Sequence, residues 1–428
     1  MTPPRAAAPT PEVTRRIGLS LGADLCWPIA YREILRRLDL RIPSRDGTLR
    51  FQVEDVTIEP FDLQKPVRYD LVIDRLTHWY FPTREWIKKC VVMDDLYVFN
   101  NPWSVQSMEK HSTYCAMMRL GLPVPRTWLI PPKSYDPKDD LAVTLRRYAR
   151  LFDLPEVARD LGYPVFMKPY DGGGWRGVSR IEDDEALQAA YDESGKFVMH
   201  LQRGVEAHDR FVRCIGLGPQ TRAVLYDPGA PQHDRYTLER GFLGASDARE
   251  IRDMTLTINA FFGWDFNSCE ALRSGGRWMP IDFANPCPDS QVTSLHYHFP
   301  WLIKANIRWS IFCAATRRRM RINLDWQPFF DACRAGMTPE ERIRVCGEIA
   351  EARLETDRFV DFCETHLGYL DDVADEFFGS EAARDAVHVK VSSLYPDHEI
   401  GEFTDLFFNR IQAARREEPP GSVPILAS

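Results

Sequence analysis

The run "VFMKPYDGGGWRGVSRI", Val165 to Ile181, restricts the fold more than any other stretch of the chain. Gly172, Gly174 and Gly177 within it are spaced G-x-G-x-x-G. In a dinucleotide-binding turn that spacing leaves a strand and opens a helix, whose N-terminus then faces the pyrophosphate. Here "VSRI", a short β-leaning run, follows Gly177, and a helical pattern begins only at Glu182 in "EDDEALQAAYDESG". The glycines therefore join two strands. Three adjacent glycines, Gly172, Gly173 and Gly174, cost backbone entropy on folding and serve close approach or motion. Such a hairpin can fold over a nucleotide's phosphates because its backbone N–H groups approach with no side chain in the way. Lys168 stands on the entering strand, ahead of the first glycine.

A chain of 428 residues is long for one core, so two or three subdomains are expected. Apolar residues at 44% and charged residues at 27% exclude wholesale disorder. The formal charge of −8 argues against a broad basic face, so nucleic acid is not an expected partner. Ten cysteines are scattered without a C-x-x-C pair, which gives no zinc framework and reads as reduced, mostly buried thiols. The N-terminus has no secretory apolar core, and the longest apolar stretch, "FPWLIKANIRWSIF", is broken by Lys304 and Arg308. A cytoplasmic protein without a membrane partner is expected.

Residues 1–14 and 417–428 are rich in Pro or small residues and read as flexible ends. "RIGLSLG" and "PIAYREILRRLDL" read as a strand and an amphipathic helix, and "YDLVIDRL", "KKCVVMD" and "YVFN" as further strands of an open α/β sheet. "SVQSMEKHSTYCAMMRLG" reads as a helix capped by Ser104 and stopped by Gly121. "LPVPRTWLI" is extended, "LAVTLRRYARLFDLPEVARDLG" helical, and "KFVMHLQR", "DRFVRCIG" and "AVLYD" are strands. "REIRDMTLTINAFFG" is helical, "DFNSCEALRSGGRWMPIDFANP" is a hairpin turning at Gly275-Gly276, and from Trp301 the pattern is helical almost to the end.

In this order the pieces resemble the ATP-grasp superfamily of carboxylate–amine ligases, which includes D-alanine–D-alanine ligase and ribosomal-protein glutamate ligases. The resemblance covers roughly residues 15 to 300 and rests on "NNPWSVQSMEKHSTYCAMMRLGLPVPRTWLI", "GYPVFMKPYDGGGWRGV" and "PIDFANP" after "NSCEALRSGG". It implies a mixed α/β (α+β) protein of three parts. These are a pre-ATP-grasp α/β domain over 15–103, a two-lobed ATP-grasp domain over 104–312 with lobes near 104–200 and 201–312, and a helical extension over 313–416. The implied activity is formation of an amide or peptide bond from a small-molecule carboxylate and amine, using ATP and two Mg²⁺ ions, or Mn²⁺ in their place. A carboxylate is a poor electrophile, so ATP first converts it to an acyl phosphate, and that transfer needs cations around the phosphoryl oxygens. A homodimer is compatible with this reading. So is a degenerate relative that binds ATP only to regulate or scaffold.

Lys110 and Lys168 are the implied phosphate cations, with Gly172, Gly173, Gly174 and Gly177 over the phosphates. Glu270 and Asp282, on opposite arms of the hairpin, are the metal ligands, joined by Asn285. Asp265 competes with Glu270, and Asp282-Phe283-Ala284-Asn285 is one residue longer than the family's Glu-x-Asn, a length a bulge accommodates. Gln202 to Val205 form the adenine hinge, and Glu206 or Asp209 takes the ribose. Arg213, Arg235 and Arg240 are candidates for gripping the acyl phosphate. Substrate contacts are expected beyond strand ends, from Asp24, Asp74, Arg75 and His78. His296 and His298 read as packing residues rather than metal ligands, and Arg317 to Arg321 as a solvated helix face, with contact to an acidic substrate as the alternative.

Two other classes fit poorly. The first turn, "SLGADLCWP", holds only Gly22 where a dinucleotide turn needs three glycines, and no H-R-D or D-F-G of a protein kinase is present.

Overall fold

The structure, a computed structural model, describes residues 11–77, 80–107, 109–171, 176–422 and 425–426. Its strands are β1 (Glu12–Ser20), β2 (Ile42–Ser44), β3 (Gly47–Asp55), β4 (Leu71–Asp74), β5 (Tyr97–Phe99), β6 (Thr127–Ile130), β7 (Val165–Pro169), β8 (Ser179–Ile181), β9 (Met199–Arg203), β10 (His208–Leu217), β11 (Gln220–Leu225), β12 (Phe266–Ser274) and β13 (Arg277–Asp282). They make three sheets, ordered β2-β3-β1-β4-β5, β6-β9-β7-β8 and β11-β10-β12-β13. The fold is mixed α/β.

In the first sheet β1 runs parallel to both β3 and β4, and β5 is parallel to β4. The residues of β4 are buried throughout, as a strand covered on both faces must be. The chain leaves β1 towards β3 on one side and later returns to β4 on the other, so a crevice opens beyond the carboxyl ends of β1 and β4. The second sheet is antiparallel and has its own core, in which Leu154, Ala158 and Leu161 of helix 154–161 meet Val165, Met167 and Leu201. The third sheet packs against helix 245–262, whose inward positions from Ile251 to Phe262 are almost all buried. A continuous apolar cluster joins the first and third sheets to the C-terminal helices. Helix 299–316 runs through it, with Trp309 stacked on Phe312 and both edge-on to Phe359. Its two interior cations, Lys304 and Arg308, both pair with Asp371. Among the described residues no helix is long and apolar enough to cross a membrane.

Several local expectations are corrected. "KKCVVMD" is helical, within 81–94, because Ile87, Cys90 and Val91 recur at helical spacing and bury one face. The segment after Asn101 forms two helices, 102–107 and 110–120, and the first is capped by Asn101, whose Oδ1 accepts the N–H groups of Trp103 and Ser104. Ser104 lies inside that helix. The second stops at Gly121 in the left-handed region (φ 85°), as expected. β1 begins at Glu12, inside the segment expected to be flexible. At the other end Glu418 pairs with Arg222, and Ile425 and Leu426 pack on the main core. β2 and β3 carry no alternation strong enough to have been read from the sequence.

Candidate active site

Gly275 and Gly276 take φ of 58° and 76°, the pair of positive values a two-residue hairpin turn requires. The turn pairs Glu270 on β12 with Asp282 on β13, while the next pair is Ala271 with Pro280, so Ile281 is an extra residue on β13. This bulge lies before Asp282, not between Asp282 and Asn285 where the lengthened motif suggested it. It has a direct consequence: the Ile281 carbonyl leaves the ladder and accepts the Tyr114 hydroxyl at 2.7 Å and Lys168 Nζ at 3.1 Å.

Arg213 on β10 is paired in register with Glu270, so Arg213, Glu270 and Asp282 form one row across three strands, on the face they share. Onto this row come the two lysines. Lys110 opens helix 110–120, its backbone N–H bonded to the Tyr170 carbonyl, and its Nζ lies 3.0 Å from each Asp282 oxygen. Lys168 arrives on β7, its Nζ 2.8 Å from Gln202 Oε1 and over the Tyr114 ring. Both lysines are buried. Burial pulls the Lys168 ammonium down to about 8, with Asp282 opposing and Lys110 assisting.

Burial, and then the neighbouring Asp282 charge, push the Glu270 carboxyl up to about 7, against the pull of Arg213, Lys110 and Lys168. Because the folded-state value lies above the ordinary one of 4.5, the fold holds this proton more tightly, and stability falls as pH rises from 4.5 to 7. Glu270→Gln is therefore expected to stabilise the metal-free protein by about 1–3 kcal/mol at pH 8 and by a fraction of that at pH 5. Urea denaturation at both pH values checks this, and an equal gain at both would remove the charge as its cause.

Asp265 is withdrawn from the competition: it precedes β12, is buried, and accepts Tyr97 Oη and Trp309 Nε1, each at 2.8 Å. Asn285 donates its amide N–H to the Ser268 carbonyl at 3.4 Å, and its Oδ1 has no partner among the described residues. The Gln202 side chain bridges Lys168 and Thr127 Oγ1. Val205, Glu206 and Asp209 lie between β9 and β10 or at the start of β10, half-buried to exposed; Asp209 is tied to Arg273 at 3.3 Å, whereas the Glu206 carboxylate has no partner among the described residues. β7 and β8 pair antiparallel, so the glycine run joins two strands as expected. Gly177 takes φ 69° at its exit, and Gly172, Gly173 and Gly174 lie outside the described residues.

Arg213 joins the cluster, donating to Ser268 Oγ at 3.1 Å and to Tyr236 Oη. Arg235 and Arg240 do not: Arg235 bonds the Ala230 carbonyl, and the half-exposed Arg240 pairs with Glu417 on the last helix. Beyond β1 and β4, Asp24 and Arg75 form a buried ion pair at 2.6 Å, with Arg75 also donating to the Pro288 carbonyl. Asp74 is used within its own turn, accepting from Ser20 and from the N–H groups of Leu76 and Thr77, and His78 lies outside the described residues. His296 and His298 bond the His233 and Thr237 carbonyls. Arg317 to Arg321 follow the end of helix 299–316 rather than forming a helix face. The sequence reading missed Tyr114 and His200. Tyr114 is four residues after Lys110 on the same helix face, and His200 is two before Gln202 on the same strand face. His200 is buried with neither ring nitrogen bonded among the described residues, and burial next to Lys168 lowers its value to about 3, so it is neutral.

No protein-family model matches the chain. In sequence it is similar to a D-alanine–D-alanine ligase of Streptomyces griseus subsp. griseus, 26% identical over 184 residues, which cover 40% of this chain and 44% of that one. It is also similar to an alpha-aminoadipate–LysW ligase, LysX, of Sulfurisphaera tokodaii, 25% identical over 149 residues, 32% of this chain and 51% of that one. The chain thus spans about half the length of the curated relatives it matches. Among solved structures, it is similar to a D-alanine–D-alanine ligase from Bacillus anthracis complexed with ATP, at a TM-score of 0.44 and 12% identity, covering 80% of this chain and 99% of that one. With these sequence relatives, and with two lysines brought onto a two-acid hairpin, the chain is similar to the carboxylate–amine ligases of the ATP-grasp superfamily.

Proposed function

We propose that the protein is an ATP-dependent carboxylate–amine ligase that forms an amide or peptide bond through an acyl phosphate. One observation carries this: two lysines, from helix 110–120 and from β7, meet a pair of acids on the β12–β13 hairpin. Among the described residues no three His, Cys, Asp or Glu side chains could hold a metal by themselves. Two carboxylates and the Asn285 amide oxygen fit an ion that completes its shell with phosphate oxygens and water, as Mg²⁺ does. Bound there, magnesium offsets charge on the transferring phosphoryl group.

The residues divide the remaining work. Lys168 and Lys110 exchange their contacts with the Ile281 carbonyl and Asp282 for phosphate oxygens. Gln202 to Val205 line the adenine edge. Glu206, whose carboxylate is uncommitted, takes the ribose in preference to Asp209, which Arg273 holds. Arg213 stands beside Glu270 and grips the acyl phosphate. In the first step a substrate carboxylate oxygen bonds to the γ-phosphorus of ATP and ADP leaves. In the second the amine bonds to the acyl carbon, the bond from that carbon to the phosphate oxygen breaks, and the phosphate leaves with the proton the nitrogen gives up. The substrates lie beyond β1 and β4, near Asp24 and Arg75, where the crevice of the first sheet opens. Arg235 and Arg240 have no part in this reading.

A screen of amino acids and small carboxylates should find a pair that elicits ADP release with ATP and Mg²⁺. If ATP binds and no pair elicits release, the protein is an ATP-binding regulator or scaffold instead.

A further inference from the structure

Away from the lysine–acid cluster, and sharing no lining residue with it, the segment Arg317 to Arg321 borders a cavity of about 510 Å³. Six arginines line it: Arg317, Arg318, Arg319, Arg321, Arg353 and Arg358. Only two lining residues are acids, Asp265 and Glu355, and both are engaged. Asp265 accepts Tyr97 and Trp309, and Glu355 pairs with Arg318 and Arg358.

Part of this charge has a structural purpose. Helices 245–262, 299–316 and 339–353 all end at the cavity, and their terminal carbonyls carry roughly half a negative charge per helix. Arg353 donates to the Ala260, Leu324 and Asp325 carbonyls, Arg318 to the Arg353 carbonyl, and Arg317 pairs with Asp46. Arg319 and Arg321 are left over. Neither guanidinium has a hydrogen bond or ion pair among the described residues, and both are exposed at the rim. Burial, and then the Arg321 charge, lower the Arg353 guanidinium from its ordinary value, as uncompensated positive charge would. On the lining, the buried Trp264 Nε1 donates to nothing among the described residues.

We propose that this cavity is a second anion site, separate from the nucleotide cleft, that takes a small molecule carrying two or more phosphate groups. Two free guanidinium forks match two oxyanion groups, because each fork can bind phosphate bidentately. The volume is in the range of small-molecule sites, roughly 300–1,000 Å³, which is more than a single phosphate needs. The floor, Trp264 and Asp265, runs directly into β12, the strand that carries Glu270.

Calorimetric titration of the full chain with inorganic pyrophosphate, without divalent metal, tests this. Arg319→Ala/Arg321→Ala removes two exposed side chains without protein partners, so circular dichroism should be unchanged. Pyrophosphate should bind the wild type and the Lys168→Ala variant through this site with equal affinity, and the double variant should lose that binding at least about tenfold, the usual worth of one charge-assisted hydrogen bond. Three results overturn the proposal: no binding to the wild type, unchanged affinity in the double variant, or loss of all binding in Lys168→Ala, which would assign the pyrophosphate to the nucleotide cleft.

Discussion

Asp282→Asn is expected to keep ATP affinity within about tenfold of the wild type while magnesium-dependent ADP release falls by two orders of magnitude or more. The substitution keeps the shape of the side chain at the end of β13 but discards the charge facing Glu270. Lys110 loses a carboxylate 3.0 Å from its Nζ, which leaves that cation freer for phosphate, so nucleotide binding does not collapse with the metal. Turnover does, because the charge that grows on the transferring phosphoryl group has lost its counterweight. Nucleotide affinity and ADP release with a substrate pair from the screen are measured side by side across magnesium concentrations. Normal turnover in this variant would move the metal site off the β12–β13 hairpin.

Lys168→Ala should weaken ATP binding or slow phosphoryl transfer by about a hundredfold or more, the scale of removing one preorganised charge from a transferring group. The fold should hold. The Ile281 carbonyl retains the Tyr114 hydroxyl, and the lost contact with Gln202 is offset by relief of a buried ammonium. A pH series adds a signature that packing alone would not produce. The Lys168 ammonium sits near 8 in the free protein and is raised by bound phosphate, so wild-type ATP affinity should fall as pH rises above 8 and that cation is lost. In Lys168→Ala that slope should be gone. Unchanged affinity and turnover in the variant would remove Lys168 from the site.

Short-range chemistry made much of this protein legible from its sequence. Gly275-Gly276 between two β-patterned runs fixed a hairpin, and with it the pairing of Glu270 and Asp282 across two arms. The run from Val165 to Ile181 read as strand, glycines, strand, and β7 and β8 are those strands. Turn residues and periodicity act over a few positions, so they survive without knowledge of the rest of the chain. What lay beyond them was decided by contacts between residues far apart. That Ile281 is the bulged residue, and that its carbonyl meets Tyr114 and Lys168, depends on the alignment of β13 against β12 and the docking of a helix and a strand more than a hundred residues earlier. Arg213, Arg235 and Arg240 looked equivalent as a sequence; register with Glu270 selected the first, while a loop carbonyl and Glu417 took the others. "KKCVVMD" had the apolar content of a strand and became a helix because one of its faces had a core to bury against. Arg317 to Arg321 read as a solvated face because nothing local shows that three helices end beside them. Side-chain identity sets what each residue can do, and only the packing of distant segments decides which partner it does it with.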